Sequence, residues 1–322
     1  MSLSYNGLKR VTSWILIVIS ISFIGILQIT TNTNWQVCSL ESNIGHVDSV
    51  EITVLVDNYA NGTLQAPWGV SMLVETNNQT ILVDTGPDPD ALRNNANVLG
   101  KDLSLVDYIV ISHEHRDHVG GLSYMAETHP NITVYVPHFM DSFVKTGIED
   151  LGFDVVDNHL TTILSPGIAL VGELRGPPYE HALTVNVANV DLVVVVGCSH
   201  LGVENIVAKA IEDLEVDPYL VIGGFHLDYA STDVISNTAT KLIDLGVDKI
   251  YPIHCIGNLI RNYIEENYPD NYGEGCVGTH LIIDQEIELT SNTNIVYSIV
   301  IISSLFTPIV YRIVSRISKK KQ

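Results

Sequence analysis

His113-Glu114-His115-Arg116-Asp117-His118 places three imidazoles and a carboxylate within six residues, directly after the apolar run at 106–111. Neutral imidazole and ionised carboxylate are the ligands that a borderline-soft cation such as zinc prefers. On a tight loop leaving a strand, His113 and His115 project to the same side, while Asp117 and His118 begin the next turn. One loop of this kind can serve two adjacent ions. A polar loop merely rich in histidine is the plain alternative, but three His and one Asp rarely coincide at this spacing.

Three further histidine motifs follow runs that read as buried strands: Gly197-Cys198-Ser199-His200, Gly223-Gly224-Phe225-His226 and Ile253-His254-Cys255. Strand ends are where sites converge in α/β proteins, so distance in sequence does not prevent meeting in space. The expected ligands are His113, His115, Asp117, His118, His200 and His254. Two ions suit that inventory, Zn2+ first and Mn2+ as the alternative. His226 stands nearby as a proton donor, and Asp117 doubles as ligand and proton acceptor. Asp84 and Cys198 are expected just behind the ligands, with Cys198 open as a thiolate ligand in place of His200. His138, His159, His181 and His280 are assigned to surface or structural roles.

The elements that must position these residues alternate. Strand-like segments at 50–56, 70–75, 80–84 and 106–112 lead to a helical pattern at 118–128, with Gly120-Gly121 near its start. A second set at 132–136, 167–171, 183–187 and 192–196 passes to a helix at 203–214. It continues as a strand at 219–222, a helix at 231–245, a strand at 249–253 and a helix at 259–268. Two successive stretches, each running from β-rich to helix-bearing, predict a four-layer αββα sandwich with its site at one sheet edge.

The chain resembles the metallo-β-lactamase-fold hydrolases, whose signature His-x-His-x-Asp-His is met from His113 to His118. Asp57-Asn58, Asp84-Thr85-Gly86, Gly197-Cys198-Ser199-His200, Gly223-Gly224-Phe225-His226-Leu227 and His254-Cys255 extend the likeness to the branch that includes dihydropterin-ribofuranosylaminobenzene phosphate synthase. The resemblance covers about residues 50 to 280. It implies a metal-activated water for hydrolysis or, in the branch, union of a pterin methyl group with an aminobenzene carbon and loss of pyrophosphate. One departure stands out: the superfamily usually carries a metal-bridging Asp where this chain has Gly197-Cys198-Ser199-His200.

Charge narrows the substrate. Residues 36–290 carry nine basic against 37 acidic residues, a net of −28. Such a body repels phosphate backbones, which argues against nucleic acid and favours a small-molecule substrate. Outside it, residues 11–29 run without a charge behind Lys9 and Arg10, and a second apolar run at 295–311 precedes Arg312, Arg316 and Lys319-Lys320-Lys321. These features predict a start and anchor at 1–35, a catalytic domain at 36–290 and a second membrane helix with basic tail at 291–322. Both termini would then be cytoplasmic and the catalytic domain would sit on the outer face of the cell membrane. That placement favours a membrane-anchored hydrolase of a small ester, lactone or phosphate compound. The synthase-like transferase and a non-catalytic, metal-stabilised binding module are the alternatives. Four cysteines are too few for a disulfide scaffold, although Cys38 and Cys276 could pair outside the cell. Self-association is left open by the sequence.

Overall fold

The computed structural model describes residues 44–284. Among these residues thirteen strands form two sheets. The first contains β1 (Ser49–Val56), β2 (Ser71–Thr76), β3 (Thr80–Val83), β4 (Tyr108–Val110), β5 (Thr133–Pro137), β6 (Asp154–Asn158) and β13 (His280–Asp284), in the order β13-β1-β2-β3-β4-β5-β6. The second contains β7 (Thr162–Ser165), β8 (Ile168–Leu174), β9 (Glu180–Val187), β10 (Asp191–Val196), β11 (Pro218–Gly224) and β12 (Lys249–Ile253), in the order β12-β11-β10-β9-β8-β7. Each sheet has a parallel part, β3 to β6 in one and β10 to β12 in the other.

Side-chain alternation along the strands builds the layers. Val193 and Val195 of β10 face the first sheet, meeting Val54, Met72, Val83 and Val110 in an apolar layer between the sheets. Leu192, Val194 and Val196 point the other way. They pack under α5 (Val203–Leu214), α6 (Thr232–Asp244) and α7 (Gly257–Asn267) through Ile206, Val207, Ala239 and Ile260. The first sheet turns Leu55, Leu82 and Ile109 outward to α1 (Pro89–Val98), α3 (Leu122–Thr128) and α4 (Ser142–Asp150), meeting Leu92, Met125 and Ile148. Three apolar layers separated by two sheets are an αββα sandwich. Because β10 is apolar on both faces, its Leu192-Val193-Val194-Val195-Val196 run is continuous rather than alternating.

Two expectations need correction. The helical pattern at 118–128 is split into α2 (Arg116–Val119) and α3. Glycines 120 and 121 mark the break because a Cβ there would lie 2.0 Å from the Pro87 carbonyl oxygen and 2.2 Å from that of Thr85. The larger correction concerns the flanking transmembrane helices and the cell-membrane location drawn from them. Among the described residues no helix is long and apolar enough to cross a membrane. The 13 residues of α6 span about 20 Å, against about 30 Å of bilayer core. The two apolar runs, and Cys38 with its suggested pairing, lie outside the described residues. The described residues therefore form a sandwich in which no helix is long and apolar enough to cross a membrane, and no outer-face placement follows from it.

Candidate metal centre

The parallel strands of both sheets end at one rim, and the loops leaving β1, β3, β4, β10, β11 and β12 meet there. Four residues at these ends hold positive φ without being glycine: Asp84 at +55°, Ser199 at +60°, His226 at +52° and His254 at +59°. Such conformations cost about 1–3 kcal/mol each and cluster where side chains must be aimed.

His113 and His118 are completely buried, and their ring centroids lie 4.0 Å apart. His200 packs against both His113 and His115, with centroids at 4.9 and 4.8 Å. His254 is 5.3 Å from His118, and its Nε2 lies 3.2 Å from Asp117 Oδ2. Three donor groups result, each with its ligand atoms within 4.8 Å of one another: Asp117, His118, Cys198 and His254; His113, Cys198 and His200; and Cys198, His226 and Cys255. Cys198 belongs to every one.

The outer partners of the rings explain their aim. His118 Nδ1 lies 2.6 Å from Asp84 Oδ2, and Ser112 donates to the same carboxylate from its backbone N–H and its hydroxyl, each at 2.7 Å. With its proton committed to Asp84, the Ser112 hydroxyl accepts from His113 Nδ1 at 2.9 Å. His200 Nδ1 donates to Glu180 Oε1 at 2.7 Å, and His254 Nδ1 to Asn58 Oδ1 at 3.0 Å. Asp57 fixes the His254 backbone N–H at 2.6 Å, while Asn58 Nδ2 donates to its carbonyl. Each of these four rings thus carries its proton on Nδ1 and turns an Nε2 lone pair inward, as outer hydrogen bonds set metal-binding histidines.

The electrostatics of His113 agree with that assignment. Burial, reinforced by the surrounding imidazoles, pushes the His113 pKa well below that of free histidine, so the ring is neutral. Burial opposes ionisation of Asp117, but His254 and His118 beside it hold its carboxyl below the usual range. Burial likewise disfavours charge on His118, yet Asp84 outweighs it and raises the pKa. His254 Nε2, Glu180 Oε2 and Glu114 Oε2 are buried without a hydrogen-bond partner. A divalent cation taking nitrogen, sulfur and oxygen fits this donor set, and a cation would satisfy the inward-facing His254 nitrogen.

Of the residues expected from sequence, His113, His115, Asp117, His118, Cys198, His200 and His254 come together at this rim. Asp84 stands immediately behind His118. His226 is exposed, with its ring 4.2 Å from that of His200. Glu180, Asn58, Ser112 and Cys255 had no role assigned from sequence, and only Asn58 and Cys255, in the motifs Asp57-Asn58 and His254-Cys255, carried a signal. His138, His159 and His280 are exposed.

His181 is buried at the start of β9, where Asn158 Nδ2 donates to its Nδ1 at 3.3 Å. Burial lowers its pKa to about 4. The folded value lies below the unfolded one, near 6.5, so the unfolded chain binds the extra proton first as pH falls. The stabilisation is complete above pH 6.5 and is lost as pH drops through about 4, amounting to about 3 kcal/mol. Urea midpoints at pH 7 and pH 4.5 should therefore fall further in wild type than in His181→Gln. Equal slopes would refute the assignment.

A cleft of about 470 Å3 opens beside the donors, lined by Trp68, His200, Phe225, His226, Asp228 and Tyr229 among others. Trp68 meets the His254 ring edge-on at 5.4 Å. Glu204 also lines the cleft, and among the described residues no lysine or arginine does.

Comparison with known proteins gives a consistent picture. The family described as the Metallo-beta-lactamase superfamily matches residues 69–254. A 7,8-dihydropterin-6-methyl-4-(beta-D-ribofuranosyl)-aminobenzene-5'-phosphate synthase of Methanocaldococcus jannaschii is 29% identical over 280 residues, covering 71% of this chain and 95% of its own. Among solved structures, a metal-dependent hydrolase of the beta-lactamase superfamily superposes with a TM-score of 0.63 at 24% identity, covering 73% of this chain and all of its own. A metallo-beta-lactamase fold protein from Bacillus subtilis gives 0.55 at 12% identity over 73% of this chain and all of its own. At these identities the structures speak for the fold alone.

Proposed function

We infer function from the premise that the chain belongs to the metallo-beta-lactamase superfamily: it is a metal-dependent enzyme that acts on a small, flat, nitrogen-rich ring compound. The observation that carries this reading is the aromatic, carboxylate-bearing cleft beside the clustered donors. Trp68 and Tyr229 offer π faces to a planar ring, while Asp228 and the unpaired Glu204 Oε2 suit the paired N–H groups of an amino-heterocycle. The synthase relative supports the same class, since the pterin and aminobenzene of its name are both flat rings. A synthase-type transfer joining two such compounds is the first reading. Hydrolysis is the second, supported at the level of the superfamily. The outer-face location that once favoured it has lost its footing.

The ligands in this proposal are His113, His115, Asp117, His118, His200 and His254, together with Cys198, and Zn2+ suits their mixed nitrogen, oxygen and sulfur donors. A bound cation supplies Lewis acidity and lowers the pKa of a coordinated water. The chain's own residues do the rest. Asp117, held ionised by its imidazole neighbours, accepts a proton from the attacking group. A hydrogen bond to Cys255 raises the His226 pKa despite partial burial, which suits it to donate a proton to the leaving group. Trp68 and Tyr229 stack the substrate and exclude water.

The test incubates the zinc-loaded chain with a pterin methyl pyrophosphate and ribofuranosyl-aminobenzene phosphate, following pyrophosphate release. Release that requires both compounds supports the transfer. Turnover of nitrophenyl esters, phosphodiesters or lactones in its place supports hydrolysis. Trp68→Ala is expected to raise KM up to about 10-fold through lost stacking, with metal content unchanged. Bound metal with no turnover on either panel would overturn the enzymatic reading.

A further inference from the structure

Cys255 has no part in that scheme as a ligand, yet its position is specific. Cys198 leaves the end of β10 and Cys255 the end of β12, strands that flank β11 rather than each other. At about 4.8 Å between neighbours, their parent strands stand about 9.6 Å apart. The two sulfurs nevertheless approach to 3.3 Å, and both residues are buried, at 3% and 2% exposure. They meet over Gly224 of β11, where a Cβ would lie 2.8 Å from Cys255 Sγ and 2.6 Å from the Gly197 carbonyl oxygen. An absent side chain in β11 is thus what lets the thiols reach across it. A nitrogen of His226 lies within 4.8 Å of both sulfurs, and His226 opens onto the cleft.

Two thiols and an imidazole converging at this range match the needs of a thiophilic ion. Two thiolates on one tetrahedral zinc, with bonds of about 2.3 Å, sit roughly 3.7 Å apart. At 3.3 Å the sulfurs stand well beyond the ~2.05 Å of a disulfide bond, and both are free thiols. We propose that Cys198, Cys255 and His226 form a further, sulfur-rich cation position beside the histidine-aspartate centre, taking a borderline or soft divalent ion such as Zn2+, with its remaining coordination place facing the cleft. Binding there releases the two thiol protons to solvent as the thiolates form. The proposal meets the preceding reading at Cys198, which both share, and at His226, which here ligates the ion and gives up the proton-donor role set out there.

The experiment strips the reduced full-length chain with a chelator and titrates it with Co2+, followed by zinc counting by mass spectrometry. In Cys255→Ser the near-ultraviolet sulfur-to-cobalt band should fall by about half, and the zinc count by one equivalent per chain. His226→Gln should lose the same equivalent with both thiols intact, which guards against misfolding of the cysteine variant. His113→Ala should lose metal from the histidine-aspartate centre and keep the equivalent that depends on Cys255. If His113→Ala changes nothing, the functional reading fails and this one stands. Full zinc count and an undiminished band in both Cys255→Ser and His226→Gln would overturn the sulfur-rich position. A Cys198–Cys255 disulfide forming under mild oxidant at the same rate with and without zinc would overturn it as well.

Discussion

Asp84→Ala is expected to cost the metal-free chain about 4 kcal/mol or more and to weaken zinc binding about 10- to 100-fold. The carboxylate is completely buried and accepts from the Ser112 backbone N–H, the Ser112 hydroxyl and His118 Nδ1, at 2.7, 2.7 and 2.6 Å. Truncation leaves three buried donors without an acceptor, each costing about 1–3 kcal/mol. Alanine also tolerates the +55° φ of this position less well than aspartate, whose short polar side chain is enriched there. Gly197, packed against the pair, has no side chain to fill the gap; a Cβ there would lie 2.1 Å from Ser112 Oγ and 3.3 Å from Asp84 Oδ2. Asp84→Asn keeps one acceptor oxygen and should lose less. Urea denaturation of both variants after chelation, paired with zinc competition against a chromophoric chelator, measures the two effects separately. A stability loss under about 1 kcal/mol for the alanine variant would mean that Asp84 does not hold the rim together.

The same rim shows how far sequence alone reaches. The His113 to His118 loop stood out because it carries its candidate ligands contiguously and the strand before it is buried throughout. The remaining histidines stood out because each follows a largely buried run, continuous in β10 and β11 and half-buried on one face in β12. Glu180 gave no such signal. It opens β9, and its role arises only when the second sheet brings it to His200. Strand β13 pairs with β1 across more than 200 residues, which no local pattern encodes. Helix α4 and strands β6 and β7 were missed because they bury little: Phe143 is 86% exposed and Ile163 44%, so apolar periodicity carries no information there. The apolar terminal runs misled in the opposite direction, since their composition was read as membrane architecture that the described sandwich does not contain.

On the ligation proposed above, Cys198→Ser should reduce turnover at least about 100-fold, because loss of a direct ligand exceeds the 10- to 100-fold typical of outer partners. Cys198 lies 3.1 Å from His118 Nε2, shares one donor group with Asp117 and His254, and shares another with His113 and His200. Among the described residues no other side chain belongs to both groups, so the sulfur is the donor they have in common. Serine is smaller, and its hydroxyl stays protonated near neutrality, so it offers neither the reach nor the charge of a thiolate. Cys198→Asp restores an anionic donor but a harder one. Because carboxylates suit manganese and thiolates suit zinc, the aspartate variant should recover turnover with Mn2+ in preference to Zn2+, whereas wild type prefers Zn2+. Metal-dependent rates for the three proteins, with bound metal counted in each, make the comparison. If Cys198→Ser retains both its metal and its rate, the sulfur is a bystander, and His200 is the ligand supplied by the loop after β10.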